Sequence, residues 1–390
     1  MITVDEALER LFALVKPLDT EEVPLIDAAG RVLARDVTAM RDQPPFAASA
    51  MDGYAVRGAE VAPGAIFAVI GEAAAGHAYD GAVDPGQTVR IFTGAPLPKG
   101  ADRVIIQEDV AREGDRITLG QSPESNDNVR PAGCDFRKGQ TMTAPRRLRP
   151  ADIALLASMN IPFVPVRRKP QVALISTGDE LVMPGETPGP DQIIASNTFG
   201  LKALLEDHGA RARVLPIARD TIRSLETAFD LAQGADLIVT IGGASVGDHD
   251  LVGRVAGDLG MDRAFYTVAM RPGKPLMAGR MGDAAMIGLP GNPVSAMVCG
   301  HVFVVPMISA MLGLGATPAP RHTARLAAPL PANGPREHYM RARITPRGIL
   351  AEDRQDSSLL SILAHAEALL VRPVRDPARA AGDQVEYLPL

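Results

Sequence analysis

Cysteine is scarce in this 390-residue chain: only Cys134 and Cys299 are present, far apart in sequence. That pair makes no CxxC or other metal spacing and no disulfide framework. A reducing cytoplasm is the default compartment for such a chain. Cys299 stands in the apolar run Ala296-Met297-Val298-Cys299 and is expected to pack in a core. The N-terminus, Met1-Ile2-Thr3-Val4-Asp5-Glu6, lacks a basic region leading into an apolar one, so it does not read as a signal peptide. The longest apolar stretch, near Val302 to Leu314, reads as too short to span a bilayer and as broken by Pro306.

Lysine is also rare, six against thirty-four arginines, so each one merits attention, although a nucleotide bias would give the same skew. The net charge of −6 and pI of about 5.7 carry no nucleic-acid footprint. No GxSxG or P-loop pattern occurs, no His/Cys/Glu cluster has zinc spacing, and no internal repeat is visible. Hydrophobic content of 46% with 22% charged residues fits a globular protein, and the length calls for two to four domains.

Two strand-to-loop junctions stand out. Val172-Ala173-Leu174-Ile175-Ser176 runs into Thr177-Gly178-Asp179-Glu180, and Leu237-Ile238-Val239-Thr240-Ile241 runs into Gly242-Gly243-Ala244-Ser245-Val246-Gly247-Asp248. Ligands of open α/β sheets bind outside the carboxyl ends of the strands. Amides, hydroxyls and carboxylates gathered there suit a phosphate-bearing ligand with a divalent cation.

Around these junctions, residues 168–318 alternate strands and helices, which implies a mostly parallel sheet covered on both faces. Strands are expected at 172–176, 212–217, 236–241 and 284–289, with helices near 197–208 and from Thr221 to Ala232. Pro290-Gly291-Asn292-Pro293 then opens a long apolar helix. Upstream, residues 3–15 read as a helix with Thr3 and Glu6 as a capping box. Residues 40–140 turn Gly- and Pro-rich with short β-prone runs, a small β unit inserted before a helix resumes after Pro150. From Pro318 onward the pattern is short strands and turns, a small barrel or sandwich.

Each motif has a plainer explanation beside the functional one. Thr177-Gly178-Asp179-Glu180 can be a simple turn, or Glu180 or Asp179 can hold a cation or water. The 242–250 loop, with three glycines around Ser245 followed by Asp248 and Asp250, is more specific than a plain connector. Asp220 reads most simply as the N-cap of the following helix. Lys274, held in Arg271-Pro272-Gly273-Lys274-Pro275, is either an exposed turn lysine or an anion partner with little freedom to lose. Ser49-Ala50-Met51-Asp52-Gly53-Tyr54-Ala55 and Thr93-Gly94-Ala95-Pro96 are too apolar for ordinary loops and can line a cleft. Ser245 has no evident paired base, which disfavours nucleophilic catalysis.

Taken in order, these last two segments, Ser176-Thr177-Gly178-Asp179-Glu180-Leu181, Gly242-Gly243-Ala244-Ser245-Val246-Gly247 and Pro290-Gly291-Asn292-Pro293-Val294-Ser295 resemble the MoeA family, which is similar to the E domain of gephyrin. The resemblance covers nearly the whole chain. It implies an α/β multidomain fold: a central three-layer α/β domain of the MogA type over 168–318, an inserted β domain over 41–139, an elongated helical linker domain over 1–40 plus 140–167, and a C-terminal β-barrel over 319–390.

The implied reaction inserts molybdate into adenylated molybdopterin, with Mg²⁺-dependent hydrolysis and release of AMP. A homodimer is implied, with the cleft between the α/β domain of one subunit and the β insertion of the other. A molybdopterin adenylyltransferase and downstream cofactor-maturation proteins are the further partners; no nucleic acid and no membrane are expected. Catalytic roles fall on Asp52, Thr93, Glu180, Asp220, Asp250 and Lys274, and Glu180, Asp220 and Asp250 are the Mg²⁺ ligands. Binding of the pterin substrate and molybdate falls on Ser176, Thr177, Gly178, Asp179, Gly242, Gly243, Ser245, Gly247 and Arg271. Pro290, Gly291, Asn292, Pro293, Asp135, Arg341 and Ser358 complete that set, Arg341 and Ser358 through the short matches His338-Tyr339-Met340-Arg341 and Gln355-Asp356-Ser357-Ser358.

Two departures accompany the match. Arg271 stands where the family often has Lys, which keeps the charge but changes the donor geometry. Ala47 and Ala48 replace polar residues common before the Ser-Ala-Met-Asp-Gly core. Two rivals compete with this reading: an adenylyltransferase, which resembles the α/β domain alone, and a scaffold of the gephyrin kind.

Overall fold

The computed structural model describes residues 1–122, 125–243 and 251–390. The chain forms two compact units. One comprises 1–21, 30–34 and 166–390; the other comprises 22–29 and 35–165.

The first unit is built on a six-stranded sheet in the order Arg211–Val214, Gln171–Ser176, Leu237–Ile241, Ala284–Leu289, Pro275–Met281, Asp262–Thr267. The first four strands are parallel; Pro275–Met281 runs against them and pairs antiparallel with both Ala284–Leu289 and Asp262–Thr267. The expected mostly parallel sheet is therefore present, with an antiparallel edge that periodicity did not reveal. Val172, Leu174, Val239 and Ile287 pack on one face and Ala173, Ile175, Ile238 and Met286 on the other, so both faces are covered. The N-terminal helix Val4–Ala13 carries the expected Thr3–Glu6 capping box and buries Leu8 and Leu11 in the same core as Leu174 and Phe303.

The long apolar helix expected after Asn292 is present, but the break expected at Pro306 and the short length are not. It is one helical run, Pro293–Met311, of 19 residues, long and apolar enough to cross a bilayer, and 78% of it is buried inside the protein. Pro306 does not break it. A five-residue π-helical turn, Gly300–Val304, lies just ahead of the proline, with Val305 N–H donating to the Gly300 carbonyl, and the helix continues.

The C-terminal segment is a barrel. Glu337–Thr345 pairs with Gly348–Ala351 and with Ala368–Arg372, which pairs with Gln384–Pro389, which pairs with His322–Arg325. A bridge from Leu326 to Ile349 joins the first and last strands. A short helix, Leu360–His365, interrupts what reads in sequence as strands and turns only.

The second unit holds the β insertion, a sheet ordered Arg103–Ile106, Gly53–Val56, Gln87–Ile91, Ile66–Ala73, Arg116–Leu119, Val110–Glu113. All its pairs are antiparallel except Ile66–Ala73 with Gln87–Ile91. Helix Pro150–Ser158 starts at its proline, with Asp152 bonded back to the Arg149 N–H.

Candidate active site

Three parallel strands end level with one another: Ser176 pairs with Ile241, and Ile241 with Leu289. From Gln171–Ser176 the chain goes to Arg211–Val214 on one side, then returns to Leu237–Ile241 on the other. The strand order thus reverses between the two junctions singled out in the sequence, the point where an α/β sheet opens a crevice.

A cleft of about 730 Å³ occupies that crevice. Ser176, Thr177, Gly178 and Glu180 line it from the first strand end, and Gly242 and Gly243 from the second. Pro290, Gly291, Asn292 and Pro293 line it from the third, with Asp220 and Ser358 completing the polar wall. Ser245, Gly247 and Asp250 belong to 244–250, outside the described residues.

The loops cross closely. Thr177 N–H donates to the Ile241 carbonyl at 3.0 Å and Gly242 N–H to the Leu289 carbonyl at 3.1 Å. Gly242 has φ +91°, and a Cβ there would lie 2.7 Å from the Thr177 carbonyl oxygen. The Thr177 hydroxyl is buried and has no hydrogen-bond partner among the described residues. An unmatched buried hydroxyl in a cleft wall is disposed to bond a ligand.

The acidic corner is assembled by backbone. Asp220 N–H donates to Asp179 Oδ1 at 3.2 Å, and Arg219 Nη1 donates to the Asp179 carbonyl at 2.9 Å. Asp179 therefore holds Asp220 and does not line the cleft. Asp220 is not the helix cap: Thr221 is, its hydroxyl accepting from Ser224 N–H at 3.3 Å. Asp220 lines the cleft instead of capping the helix. Burial, then Asp179 and Glu180, raise its pKa above the ordinary 3.8. These are hard oxygen donors of the kind a divalent cation takes, but among the described residues no group of three such side chains gathers here.

Basic residues lie beside cleft-wall residues in the chain or bond their neighbours, without lining the cleft themselves. Arg341 is fully buried; its Nη2 donates to the carbonyls of Arg354 and Asp356, while Nε and Nη1 have no partner among the described residues. Ser358, on the cleft wall, donates through N–H and Oγ to Asp356 Oδ1 at 2.8 and 2.7 Å. Arg271 pairs along the backbone with His338. Burial lowers the His338 pKa to about 4, and Arg271, Arg341, Arg372 and Arg336 push it the same way. Lys274 is exposed and adjoins Pro275 of the cleft wall.

In the second unit, Asp52 Oδ1 accepts from Thr93 N–H at 2.8 Å and from Thr93 Oγ1 at 2.7 Å. Those two bonds lower its pKa, burial opposes them, and Arg90 adds to the lowering. Asp135 is exposed, its N–H donating to the Gln43 carbonyl at 3.0 Å.

Several wall residues escaped the sequence reading. Leu181, Ile193, Ile194 and Leu360 give the cleft an apolar side. Asn197, also lining it, donates to the Gly291 carbonyl at 2.7 Å. Its place beside Ser196, at a helix start after a strand, was the available signal. Asn292 takes the N-cap position, yet its side chain donates to Ser357 Oγ at 3.1 Å instead of capping.

Family models match along the chain: the MoeA N-terminal region (domain I and II) at residues 2–160, a probable molybdopterin binding domain at 173–310, and the MoeA C-terminal region (domain IV) at 323–390. A molybdopterin molybdenumtransferase of Haemophilus influenzae is 38% identical over 84% of this chain and 82% of its own. One from a Nostoc species is 35% identical over 100% of this chain and 94% of its own. A crystal structure of the molybdopterin biosynthesis moeA protein of Pyrococcus horikoshii superposes with a TM-score of 0.85 at 28% identity, covering 100% of both chains. With all three regional models matched in order, the chain belongs to the MoeA family, the molybdopterin molybdenumtransferases of molybdenum cofactor biosynthesis.

Proposed function

We propose that this chain inserts molybdate into adenylated molybdopterin in the cytoplasm, with Mg²⁺-dependent cleavage of the phosphoanhydride and release of AMP. The observation that carries the reading is the cleft that joins three level strand ends to the acidic pair Glu180 and Asp220. Glycine at 178, 242 and 243 lets Glu180, Thr177 and Val252 pack against the strand-end loops that form the cleft wall, and the Thr177 hydroxyl gives the anhydride a donor. Glu180 and Asp220 would hold Mg²⁺, with Asp250 as the third ligand. Bound there, the ion would offset the negative charge on the anhydride oxygens.

Molybdate is a tetrahedral dianion, and Lys274, Arg271, Arg341 and Ser358 supply its cationic and hydroxyl seat. Asp52, oriented by Thr93, positions water or the cation at the anhydride from the partner subunit of a homodimer. An adenylyltransferase would supply the substrate and maturation proteins would receive the product.

AMP release from adenylated molybdopterin, with molybdate or tungstate titrated in, tests the reading. Asp52→Ala should abolish oxyanion-dependent AMP release and leave pterin binding in place. Unchanged turnover in that variant would sink the role of Asp52. Pyrophosphate formed from ATP and molybdopterin would favour an adenylyltransferase instead.

A further inference from the structure

Arg90 lies on strand Gln87–Ile91, directly opposite Tyr54. Its guanidinium carbon is 4.9 Å from the centre of the Tyr54 ring and 5.0 Å from that of Phe92. Nη1 donates to the Gly53 carbonyl at 3.2 Å, and Nη2 to Gln107 Oε1 at 2.5 Å. Gln107 N–H donates in turn to the Asp52 carbonyl at 3.1 Å. Gly53 leaves no slack, since a Cβ there would collide with the Ile105 carbonyl. One side chain thus touches the residue after Asp52 and, through Gln107, Asp52 itself.

A half-buried arginine needs none of this to stay solvated. Two flanking aromatic faces and two divergent acceptors fix the guanidinium plane, and a planar fork transmits that orientation to both carbonyls. The carboxylate at the end of the same segment spends one oxygen on both Thr93 donors. Its direction therefore depends on where the 52–53 backbone is held.

We propose that Arg90 is a positioning residue for Asp52: its stacked guanidinium fixes the Gly53 carbonyl and, through Gln107, the Asp52 carbonyl, so that Asp52 meets Thr93 with one oxygen and presents the other to the ligand. The inference rests on the catalytic reading of Asp52 given above. A lysine at 90 would keep the positive charge but lose the planar stack and the second arm of the fork. The conservative substitution therefore separates geometry from charge.

The experiment measures molybdate-dependent AMP release by full-length R90K, R90A, Q107A, D52A and the R90K/D52A double variant. R90K and R90A should lower kcat roughly ten- to hundredfold with KM for the adenylated pterin unchanged, as a small misplacement of a reacting group does. Q107A should lower kcat less, and R90K should add nothing to D52A. Parental kcat in R90K and Q107A beside an inactive D52A would overturn the proposal, as would a change confined to KM. Normal turnover by D52A would instead remove the reading of Asp52 on which it rests. Should R90A fail to fold, R90K and Q107A carry the same comparison.

Discussion

The Glu180 carboxylate folds back over Gly178, occupying the space where a Cβ at 178 would sit. Gly178 also has φ +146°, a conformation that side-chain-bearing residues rarely adopt. One glycine thus serves both the loop and the acid. Gly178→Ala should displace Glu180 and lower AMP release roughly 100-fold, by the cost of misplacing a reacting group. The backbone strain should destabilise the fold by about 1–3 kcal/mol. Steady-state kinetics and denaturant titration separate the two effects; a variant with parental kcat would show that the Glu180 position is immaterial.

Asp220 yields a prediction about metal and pH. Its folded pKa is raised by burial first, then by Asp179 and Glu180. Such a group favours the folded state fully below its unfolded pKa, and that contribution is lost as pH rises through the folded value. Metal-free protein should therefore lose stability as pH climbs above about 4, the ordinary aspartate value, and Asp220→Asn should flatten that loss. Added Mg²⁺ should raise the melting temperature of the parent and much less that of Asp220→Asn, since only a ligand-binding fold gains by mass action. Equal Mg²⁺ shifts in both proteins would remove Asp220 from the ion site.

Much of this site was legible because strand ends are. Thr177-Gly178-Asp179-Glu180 and Gly242-Gly243 follow unbroken apolar runs, and burial on both faces leaves no other reading of such runs. The capping box at Thr3 and Glu6 is local chemistry and appeared as read. Asp220 and Thr221 show the limit: both residue types cap helices, and the choice was made by Asp179, forty-one positions away. Strand Asp262–Thr267 was hidden because two register shifts against Pro275–Met281 break its alternation. Ile193 and Ile194 went unread because their strand is two residues long, too short for a period. Their use appears only when the cleft closes around them.

Buried charge in the barrel gives a stability test away from the cleft. Asp376 bonds Arg372 at 2.5 Å and Arg379 at 2.6 Å, and its side chain and that of Arg372 are each only 3% exposed. Burial raises the Asp376 pKa, but Arg379 and Arg372 outweigh it and the net shift is downward. A carboxyl of that kind contributes stability above its unfolded pKa and loses it as pH falls through the folded value. Asp376→Ala leaves Arg372 buried without its partner and should cost about 3–5 kcal/mol. A loss within 1 kcal/mol on urea titration would show that water reaches the pair.

The basic residues proposed to seat the oxyanion make the sharpest claim. Lys274 is exposed, whereas Arg341 is fixed by carbonyls and buried. A mobile ammonium contributes charge, and a fixed guanidinium contributes direction. Lys274→Ala should therefore raise the molybdate concentration for half-maximal AMP release roughly ten- to hundredfold, the worth of one charge-assisted hydrogen bond. Binding of the adenylated pterin should change little if, as proposed, the strand-end loops hold its anhydride. Arg271→Lys keeps the charge beside His338 and should move the molybdate response by less than Lys274→Ala does. Isothermal titration with each ligand separately reads both effects. If Lys274→Ala weakened pterin binding as much as the molybdate response, the two subsites would not be divided as proposed.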